Sequence, residues 1–267
     1  MVALMGIVLA LHLWGVAMIS LDIARALDPV LFARDCGVEP DPWQAEVLRL
    51  QPRRTLLLCS RQAGKSSVSA LLGLWTALYE PEALVLFVSP SLRQSSELFR
   101  TTMLFYQRLA GVPELAQESA LRAQFSNGSR IVSLPGSEKT TRGYSKASLI
   151  VVDEAARVED ALWASLRPML ATSKDGGKFV CLSTPAGTRG EFHKYWSAGG
   201  ADWHRVEVPA TACPRISPEF LKEELRQLGQ QRFDEEYGLA WLDPDESVFP
   251  VAIVDAAFTD AVAQLWQ

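Results

Sequence analysis

The sequence has few histidines and cysteines and no excess of basic residues, so it lacks the usual components of metal sites, disulfide frameworks and DNA-binding surfaces. Its 267 residues include only three histidines and four cysteines, the latter at positions 36, 59, 181 and 213 with no C-x-x-C pair. This argues against a zinc site or a disulfide-stabilised scaffold and is typical of reduced, cytosolic proteins. The formal net charge is −5, so the basic excess that marks many DNA-binding domains is also missing. Charge alone therefore neither establishes nor excludes a role on DNA.

Charged residues are also absent from residues 1–19, which are mostly Leu, Val, Ala, Met and Gly. The stretch is close to the length that spans a bilayer, but it has neither a basic start nor an evident signal-peptide cleavage site. Three interpretations stay open: a membrane anchor, a buried helix, or a start codon assigned upstream of Met18. We favour the last two and expect no stable membrane association.

One short segment predicts a binding site for the phosphates of a nucleotide. Gly64, Lys65 and Ser66 follow an apolar predicted strand and open a predicted helix, residues 66–79, which is the context that a phosphate-binding loop requires. There the backbone amides and the helix N-terminus attract the anion, the lysine reaches the terminal phosphates, and the serine hydroxyl ligates Mg²⁺. Cys59 stands where the pattern G-x-x-x-x-G-K-[ST] has its first glycine. The predicted phosphate-loop contacts are Ser60, Arg61, Gln62, Ala63, Gly64, Lys65, Ser66 and Ser67.

A second segment predicts the acidic half of the same site. Residues 149–152 are aliphatic without alternation, which indicates a parallel strand buried on both faces. Asp153 and Glu154 follow at its carboxyl end, where open α/β sheets bind ligands. We expect Asp153 to serve the metal ion, and Glu154 to activate water for hydrolysis of a nucleoside triphosphate. The alternative is that the pair merely caps the next helix.

Strands and helices alternate along the chain, which predicts an α/β fold: a three-layer P-loop NTPase with a central, mainly parallel sheet. Asn127 and Gly128 predict a hairpin turn within residues 123–132. The other predicted strands are residues 55–59, 84–89, 178–182 and 203–208. The other predicted helices are residues 92–109, 159–171 and 218–228.

Residues 60–66 resemble the phosphate loop of large terminase subunits, the ATPases that pump DNA into tailed-phage and herpesvirus capsids. Their loop carries an early arginine, as Arg61 does here. Further segments resemble motifs of the same family in the same order: residues 41–44, 141–143, 182–187 and 233–241. The resemblance covers about residues 21–250, and its order and spacing are specific. It implies a RecA-like (ASCE) core with a small C-terminal lid.

The resemblance implies roles for individual residues. Gln44 would read the adenine edge, for which its amide has a donor and acceptors. Arg142 would be an arginine finger that reaches the γ-phosphate on a neighbouring subunit. Arg61 is open between a γ-phosphate sensor in cis and an ion pair that braces the loop. Each role has a plainer alternative. Gln44 could be a surface residue of a helix, Arg142 could be an ordinary solvated arginine, and the hydroxyls of the coupling motif could simply cap a helix. The implied coupling residues are Ser183, Thr184 and Pro185.

Four parts of the chain are expected. Residues 1–20 form the apolar segment, residues 21–212 the ATPase core, and residues 213–247 the lid. Residues 248–267 would begin a linker to the nuclease domain that large terminases normally carry. We expect that domain to be absent from this chain, and we expect no DNA cleavage by it.

The expected function is hydrolysis of ATP with Mg²⁺ to power translocation of double-stranded viral DNA into a procapsid, in the host cytoplasm. The implied partners are the DNA, the portal protein or procapsid, and the small terminase subunit. Copies of the chain, monomeric when isolated, would assemble into a ring, expected to be a pentamer. The alternatives are a helicase- or remodeller-like DNA-dependent ATPase, which usually carries a second domain, and a regulatory nucleotide-binding module, against which Glu154 argues.

Overall fold

The computed structural model describes residues 19–136 and 143–242. Aliphatic runs form the strands of one sheet. They are β1 (Arg54–Cys59), β2 (Leu84–Ser89), β3 (Leu115–Ser119), β4 (Arg122–Phe125), β5 (Arg130–Pro135), β6 (Leu149–Asp153), β7 (Lys178–Ser183) and β8 (His204–Val208).

Helices connect the strands and cover both faces of the sheet. They are α1 (residues 19–27), α2 (Pro29–Asp35), α3 (Pro42–Leu50), α4 (Lys65–Tyr79), α5 (Leu92–Tyr106), α6 (Asp160–Leu166), α7 (Gly190–Ala198), α8 (Pro218–Leu228) and α9 (Gln230–Glu236). Short 3-10 turns lie at Ala155–Arg157, Arg167–Leu170, Lys174–Gly176 and Ala210–Ala212.

The sheet has eight strands in the order β3-β4-β5-β2-β6-β7-β1-β8. Its pairings from β5 to β8 are parallel, whereas β4 runs antiparallel to both β5 and β3. The predicted mainly parallel sheet is therefore confirmed. Strand β7 lies between β1 and β6. Because parallel strands end at the same edge, the phosphate loop after β1, the carboxylates after β6 and the hydroxyls after β7 all meet there.

Two hydrophobic clusters form the layers on either side of the sheet. Along β1, Leu57 belongs to one cluster, and Leu56 and Leu58 belong to the other. Since successive strand side chains point to opposite faces, burial of both sets requires a layer on each side. The second cluster contains Trp163, 1% exposed, whose ring meets Phe179 edge-on at a centroid distance of 5.5 Å. The three-layer architecture follows from this double burial.

Two predicted helices are shorter than the sequence indicates. The helix expected over residues 92–109 ends at Tyr106. The helix expected over residues 159–171 ends at Leu166 and continues as a 3-10 turn that contains Pro168. Proline lacks the amide hydrogen that an α-helix needs and clashes with the preceding turn, which explains the change. Strand β3 was not predicted, because its side chains are exposed or half-buried and carry no apolar alternation.

The last two described helices, α8 and α9, bury none of their own residues. The Ser217 side chain caps α8 as predicted, accepting a hydrogen bond from the Phe220 amide at 3.2 Å. Just beyond α9, Tyr237 is buried and its hydroxyl donates to Glu224 at 2.9 Å. These helices lie within the predicted lid, residues 213–247, of which only residues 243–247 lie outside the described part of the chain. Its behaviour as a lid remains a prediction.

The apolar segment 1–20 lies almost entirely outside the described residues. Helix α1 is attached to the rest of the fold through Arg25, which donates to Asp35 and to the Ala110 carbonyl, each at 2.7 Å. Within residues 19–136 and 143–242, no helix has the length and apolar character needed to cross a membrane.

All four cysteines are buried and unbridged. Burial raises the pKa of the Cys36 and Cys59 thiols to about 12, and it also raises the pKa of Cys181 and Cys213. Because the thiolate is the reactive species, we expect a thiol reagent at pH 8 to leave the native protein unmodified over minutes and to modify four thiols after denaturation. The check is a colorimetric thiol count before and after denaturant. Rapid labelling of any thiol in the native protein would contradict this expectation.

Candidate functional site

The turn between β1 and α4 has the backbone of a phosphate loop. Gly64 has φ +90°, and a Cβ atom there would come within 2.6 Å of the Gln44 amide nitrogen and 2.8 Å of an Arg215 guanidinium nitrogen. The positive φ favours glycine, and a Cβ atom here would displace the ends of both side chains. Helix α4 begins at the next residue, Lys65, so its first-turn amides point out of the helix end toward the site. Gln62 also has a positive φ, 61°.

Cys59 does not impair the loop, although it replaces a glycine of the standard pattern. It is the last residue of β1, paired with Val208 of β8, and its side chain lies fully buried in a hydrophobic cluster. Its φ is not positive. The position is thus an ordinary strand position here, where the freedom of glycine is not needed.

Lys65 is the cation at the centre of the loop. Its side chain is 10% exposed, and its Nζ donates to the Ser60 carbonyl at 3.3 Å. The same Nζ lies 3.9 Å from Glu154 Oε1. Ser60 and Ala63 are buried, Ser66 is exposed, and Ser67 is half-buried. The loop therefore holds a desolvated amine beside a carboxylate of the next functional segment.

The end of β6 carries the two predicted carboxylates. Asp153 is 7% exposed, and its Oδ1 accepts a hydrogen bond from the Glu154 amide at 3.0 Å. Burial, together with the negative charge of Glu154, raises the pKa of Asp153 from 3.8 to about 6. Glu154 has φ 50° and ψ 44°, a left-handed conformation that is uncommon for a residue with a side chain. Such strain concentrates at functional sites.

The Glu154 carboxylate lies among donors from three segments. Its Oε2 accepts from Arg157 Nη1 at 2.9 Å and from the Ser183 hydroxyl at 3.5 Å, while Oε1 faces Lys65. Arg157 Nη1 also donates to the buried Thr184 hydroxyl at 2.9 Å. The buried Pro185 follows. Arg157 was not predicted; its signal in the sequence was its position three residues after Glu154 in a turn.

Gln44 lies against the phosphate loop. It is 2% exposed, so the alternative of a surface glutamine is wrong. Its Oε1 accepts from the Asp41 amide at 2.8 Å, and its Nε2 donates to the Gly64 carbonyl at 3.3 Å. Arg215, a second residue that was not predicted, donates to the Ala63 carbonyl and to Asp41, each at 3.0 Å. Both side chains thus brace the loop backbone, and adenine recognition by Gln44 remains a prediction.

Arg61 takes part in an ion pair with the last described helix. Its Nε lies 3.3 Å from Glu236 Oε2, and its amide donates to the Glu236 carbonyl at 3.0 Å. The bracing alternative therefore matches the observed geometry, while γ-phosphate sensing remains a prediction. Arg142, the predicted arginine finger, lies outside the described residues.

The sequence was compared with models of known protein families, and one family matches. The sequence model described as "Terminase large subunit, T4likevirus-type, N-terminal" matches residues 56–254, which is most of the chain and includes the loop, the carboxylates and the hydroxyls. This chain belongs to the terminase large-subunit family. The resemblance seen in the sequence motifs is therefore confirmed.

Three terminases compared with this chain are distant from it in sequence. The terminase large subunit of Thermus virus P23-45 is 22% identical, over 80% of this chain and 51% of the relative. The chain thus spans about half the length of the curated relatives it matches. The large terminase ATPase domain of Thermus phage P74-26 is similar in structure, with a TM-score of 0.69, 19% identity, and coverage of 78% of this chain and 96% of that one. A large terminase from a thermophilic bacteriophage, in complex with ADP, has a TM-score of 0.64 at 13% identity, over 76% of this chain and 54% of that one. These likenesses confirm the fold.

The structure brings together most of the residues predicted from the terminase motifs. Lys65, Asp153, Glu154 and Ser183 meet at one edge of the sheet, and Gln44 touches the loop from outside. Within residues 19–136 and 143–242, no group of three or more His, Cys, Asp or Glu side chains could hold a metal ion. An ion at this site would therefore need ligands beyond such a cluster.

We expect Asp153→Asn to raise the stability of the nucleotide-free protein. A folded pKa near 6 against an ordinary 3.8 means that the native state holds the proton more tightly, so native stability falls as pH rises from about 4 to 6. Above pH 6 the cost is fully present, on the order of 3 kcal/mol. Asn removes the charge and still accepts the Glu154 amide.

The measurement is thermal unfolding of the native protein and Asp153→Asn in EDTA, at pH 5 and pH 7.5. The melting temperature of the variant should exceed that of the native protein at pH 7.5, by about 2–4 °C per kcal/mol, and the gap should narrow at pH 5. A variant that melts lower at both pH values would show that the carboxylate stabilises the empty site.

Proposed function

We propose that this terminase-family chain binds ATP with Mg²⁺ and hydrolyses it, and that the hydrolysis powers movement of double-stranded DNA into a procapsid. One observation carries the proposal: Lys65, at the start of α4, lies 3.9 Å from Glu154 at the end of β6. A phosphate-binding cation and a carboxylate able to accept a proton therefore share one site. The terminase family match supports viral DNA packaging over a helicase-like role.

The chain's residues suit distinct parts of the reaction. The loop amides and Lys65 would bind the β- and γ-phosphates. Glu154 would orient the attacking water and accept its proton. Gln44 would recognise adenine next to Gly64. From a neighbouring copy, Arg142 would stabilise the charge that develops on the γ-phosphate.

Asp153 and Ser66 would hold the magnesium ion. Mg²⁺ prefers hard oxygen ligands and is usually held by one or two carboxylates together with substrate phosphates. Asp153 offers a buried carboxylate whose pKa is raised by burial and by Glu154, and a cation would relieve that cost. The ion would supply charge neutralisation for the phosphates.

The family match also supports a proposal for the larger assembly. A large terminase from a thermophilic bacteriophage has been solved with ADP, and the ATPase domain of phage P74-26 stands as a structure of its own. We propose that the present chain is such a motor unit, that it acts as a ring in the host cytoplasm, expected to be a pentamer, and that it engages DNA, a portal or procapsid, and a small terminase subunit.

The test is phosphate release from ATP by the purified chain, with Mg²⁺ or EDTA, and with or without duplex DNA and procapsids. We expect Mg²⁺-dependent hydrolysis that DNA and procapsids increase, and DNA that becomes resistant to nuclease inside the procapsids. Failure to release phosphate under every condition would overturn the ATPase proposal. Hydrolysis without protected DNA would overturn only the translocation part.

A further inference from the structure

Arg157 lies between two carboxylates that belong to different parts of the molecule. Its Nη1 donates to Glu154 at 2.9 Å, at the end of β6. Its Nη2 lies 4.0 Å from Glu236 Oε1, at the end of α9. One guanidinium therefore faces both the proposed general base and the last described helix.

The contact continues on both sides as a row of alternating charges. Lys65 Nζ lies 3.9 Å from Glu154, and Arg61 Nε lies 3.3 Å from Glu236. The row runs from the phosphate loop to β6, to α9, and back to the phosphate loop. The two carboxylate side chains are 22% and 21% exposed, whereas those of Arg157 and Arg61 are 39% and 61% exposed, so salt screens these pairs in part.

Arg157 makes the shortest contact to the Glu154 carboxylate among those described. The Ser183 hydroxyl is at 3.5 Å and Lys65 at 3.9 Å, against 2.9 Å for Arg157. Arg157 is itself held by the buried Thr184 hydroxyl, also at 2.9 Å. Because a short charge-assisted hydrogen bond restricts a carboxylate more than a long one, Arg157 sets the direction of this side chain.

We propose that Arg157 is a positioning residue for Glu154, and that Glu236 of α9 acts on Glu154 through Arg157. The inference rests on the proposed function, since it assigns Glu154 the role of general base. When Glu236 approaches Arg157, its negative charge weakens the attraction between the guanidinium and Glu154. When Glu236 withdraws, that attraction becomes stronger again. The position of α9 thereby reaches the carboxylate that activates water.

The first test separates positioning from phosphate binding. We expect Arg157→Gln to lower kcat about 10- to 100-fold, as loss of an orienting partner does, while the dissociation constants of ATPγS and ADP change less than threefold. Arg157→Lys should recover part of kcat, because it keeps the charge but not the paired donors. Arg100→Gln, an exposed arginine paired with Glu97 on α5, is the matched control and should keep native kcat.

The second test asks whether Glu236 acts through Arg157. Glu236→Gln should change kcat in the native background but by less than twofold in the Arg157→Gln background, since the path is already cut. Hydrogen exchange of nucleotide-free protein gives a readout that does not need turnover. Both Arg157→Gln and Glu236→Gln should speed exchange in residues 230–236, and Arg100→Gln should not.

Each contrary outcome has a definite meaning. A native kcat in Arg157→Gln would overturn the positioning role, and a selective loss of ATPγS binding would make Arg157 a γ-phosphate ligand instead. The link to α9 would be overturned if the effects of Arg157→Gln and Glu236→Gln on kcat were independent, so that they multiply in the double variant. Unchanged hydrogen exchange in residues 230–236 would overturn it as well. If the native chain hydrolyses no ATP, the proposed function fails, and the positioning role fails with it, because Glu154 then has no water to activate. The hydrogen-exchange result is independent of turnover and still tests the contact between Arg157 and α9.

Discussion

Glu154→Gln should bind ATP as tightly as the native chain and hydrolyse it about 10²- to 10⁴-fold more slowly, the range that general base catalysis contributes. The side chain keeps its shape, and its oxygen still accepts from Arg157. What is lost is the ability to take a proton from water. Binding should persist because Lys65 and the loop amides, which are untouched, contact the phosphates.

Titration with a fluorescent nucleotide measures binding, and a single-turnover assay measures hydrolysis, so the two effects are separated. Lys65→Ala should show the opposite pattern, with loss of binding itself. Glu159→Gln, an exposed glutamate five residues along the chain at the start of α6, is the matched control and should behave like the native protein. Normal turnover in Glu154→Gln would remove this residue from the mechanism.

Arg142→Ala should lower turnover of the assembled protein about 10³- to 10⁵-fold, the contribution of arginine fingers in related phosphoryl transfers. If the arginine acts on a neighbouring copy, turnover of the native chain should rise faster than linearly with protein concentration. Arg142→Ala and Glu154→Gln subunits, each inactive alone, should regain activity when mixed. One kind of interface then pairs an intact arginine with an intact glutamate.

The measurement is a titration of mixing ratio at constant total protein, followed by phosphate release. Activity should be highest at intermediate ratios. A mixture without activity at every ratio would indicate an arginine that acts in cis, and Arg61 would be the first to replace. The control is a mixture of Lys65→Ala with Glu154→Gln, which should stay inactive: both subunits keep Arg142, but one lacks the phosphate-binding lysine and the other lacks the general base, so neither has a complete hydrolysis site.

The strands and loops of the site could be predicted because their signals are local. The unbroken aliphatic run of β6 and the glycine before Lys65 each specify a conformation within a few residues. The parallel sheet then places the ends of β1, β6 and β7 at one edge, whatever the intervening sequence. The carboxylates and hydroxyls could therefore be assigned to one site before any distance was known.

Arg215 and Glu236 could not be predicted in the same way, because tertiary structure alone brings them to the loop. Arg215 donates to the Ala63 carbonyl across 152 positions of sequence. No periodicity records that approach, and an arginine there is indistinguishable from a solvated one. The contact of Arg157 with Glu154 was easier to predict, because both residues lie in one turn. Its hydrogen bond to Thr184, however, depends on the pairing of β6 with β7.

No residue of helices α8 and α9 is fully buried, and the end of α9 is held against the phosphate loop by the Arg61 amide and by the charges of Arg61 and Arg157 around Glu236. The ionic part of this attachment is exerted through Glu236. Its range follows the screening length, about 8 Å at physiological salt and about 3 Å at 1 M. We therefore expect high salt to loosen the contact between α9 and the phosphate loop, and to leave the buried layers of the sheet in place, because these layers are held by apolar burial rather than by charge.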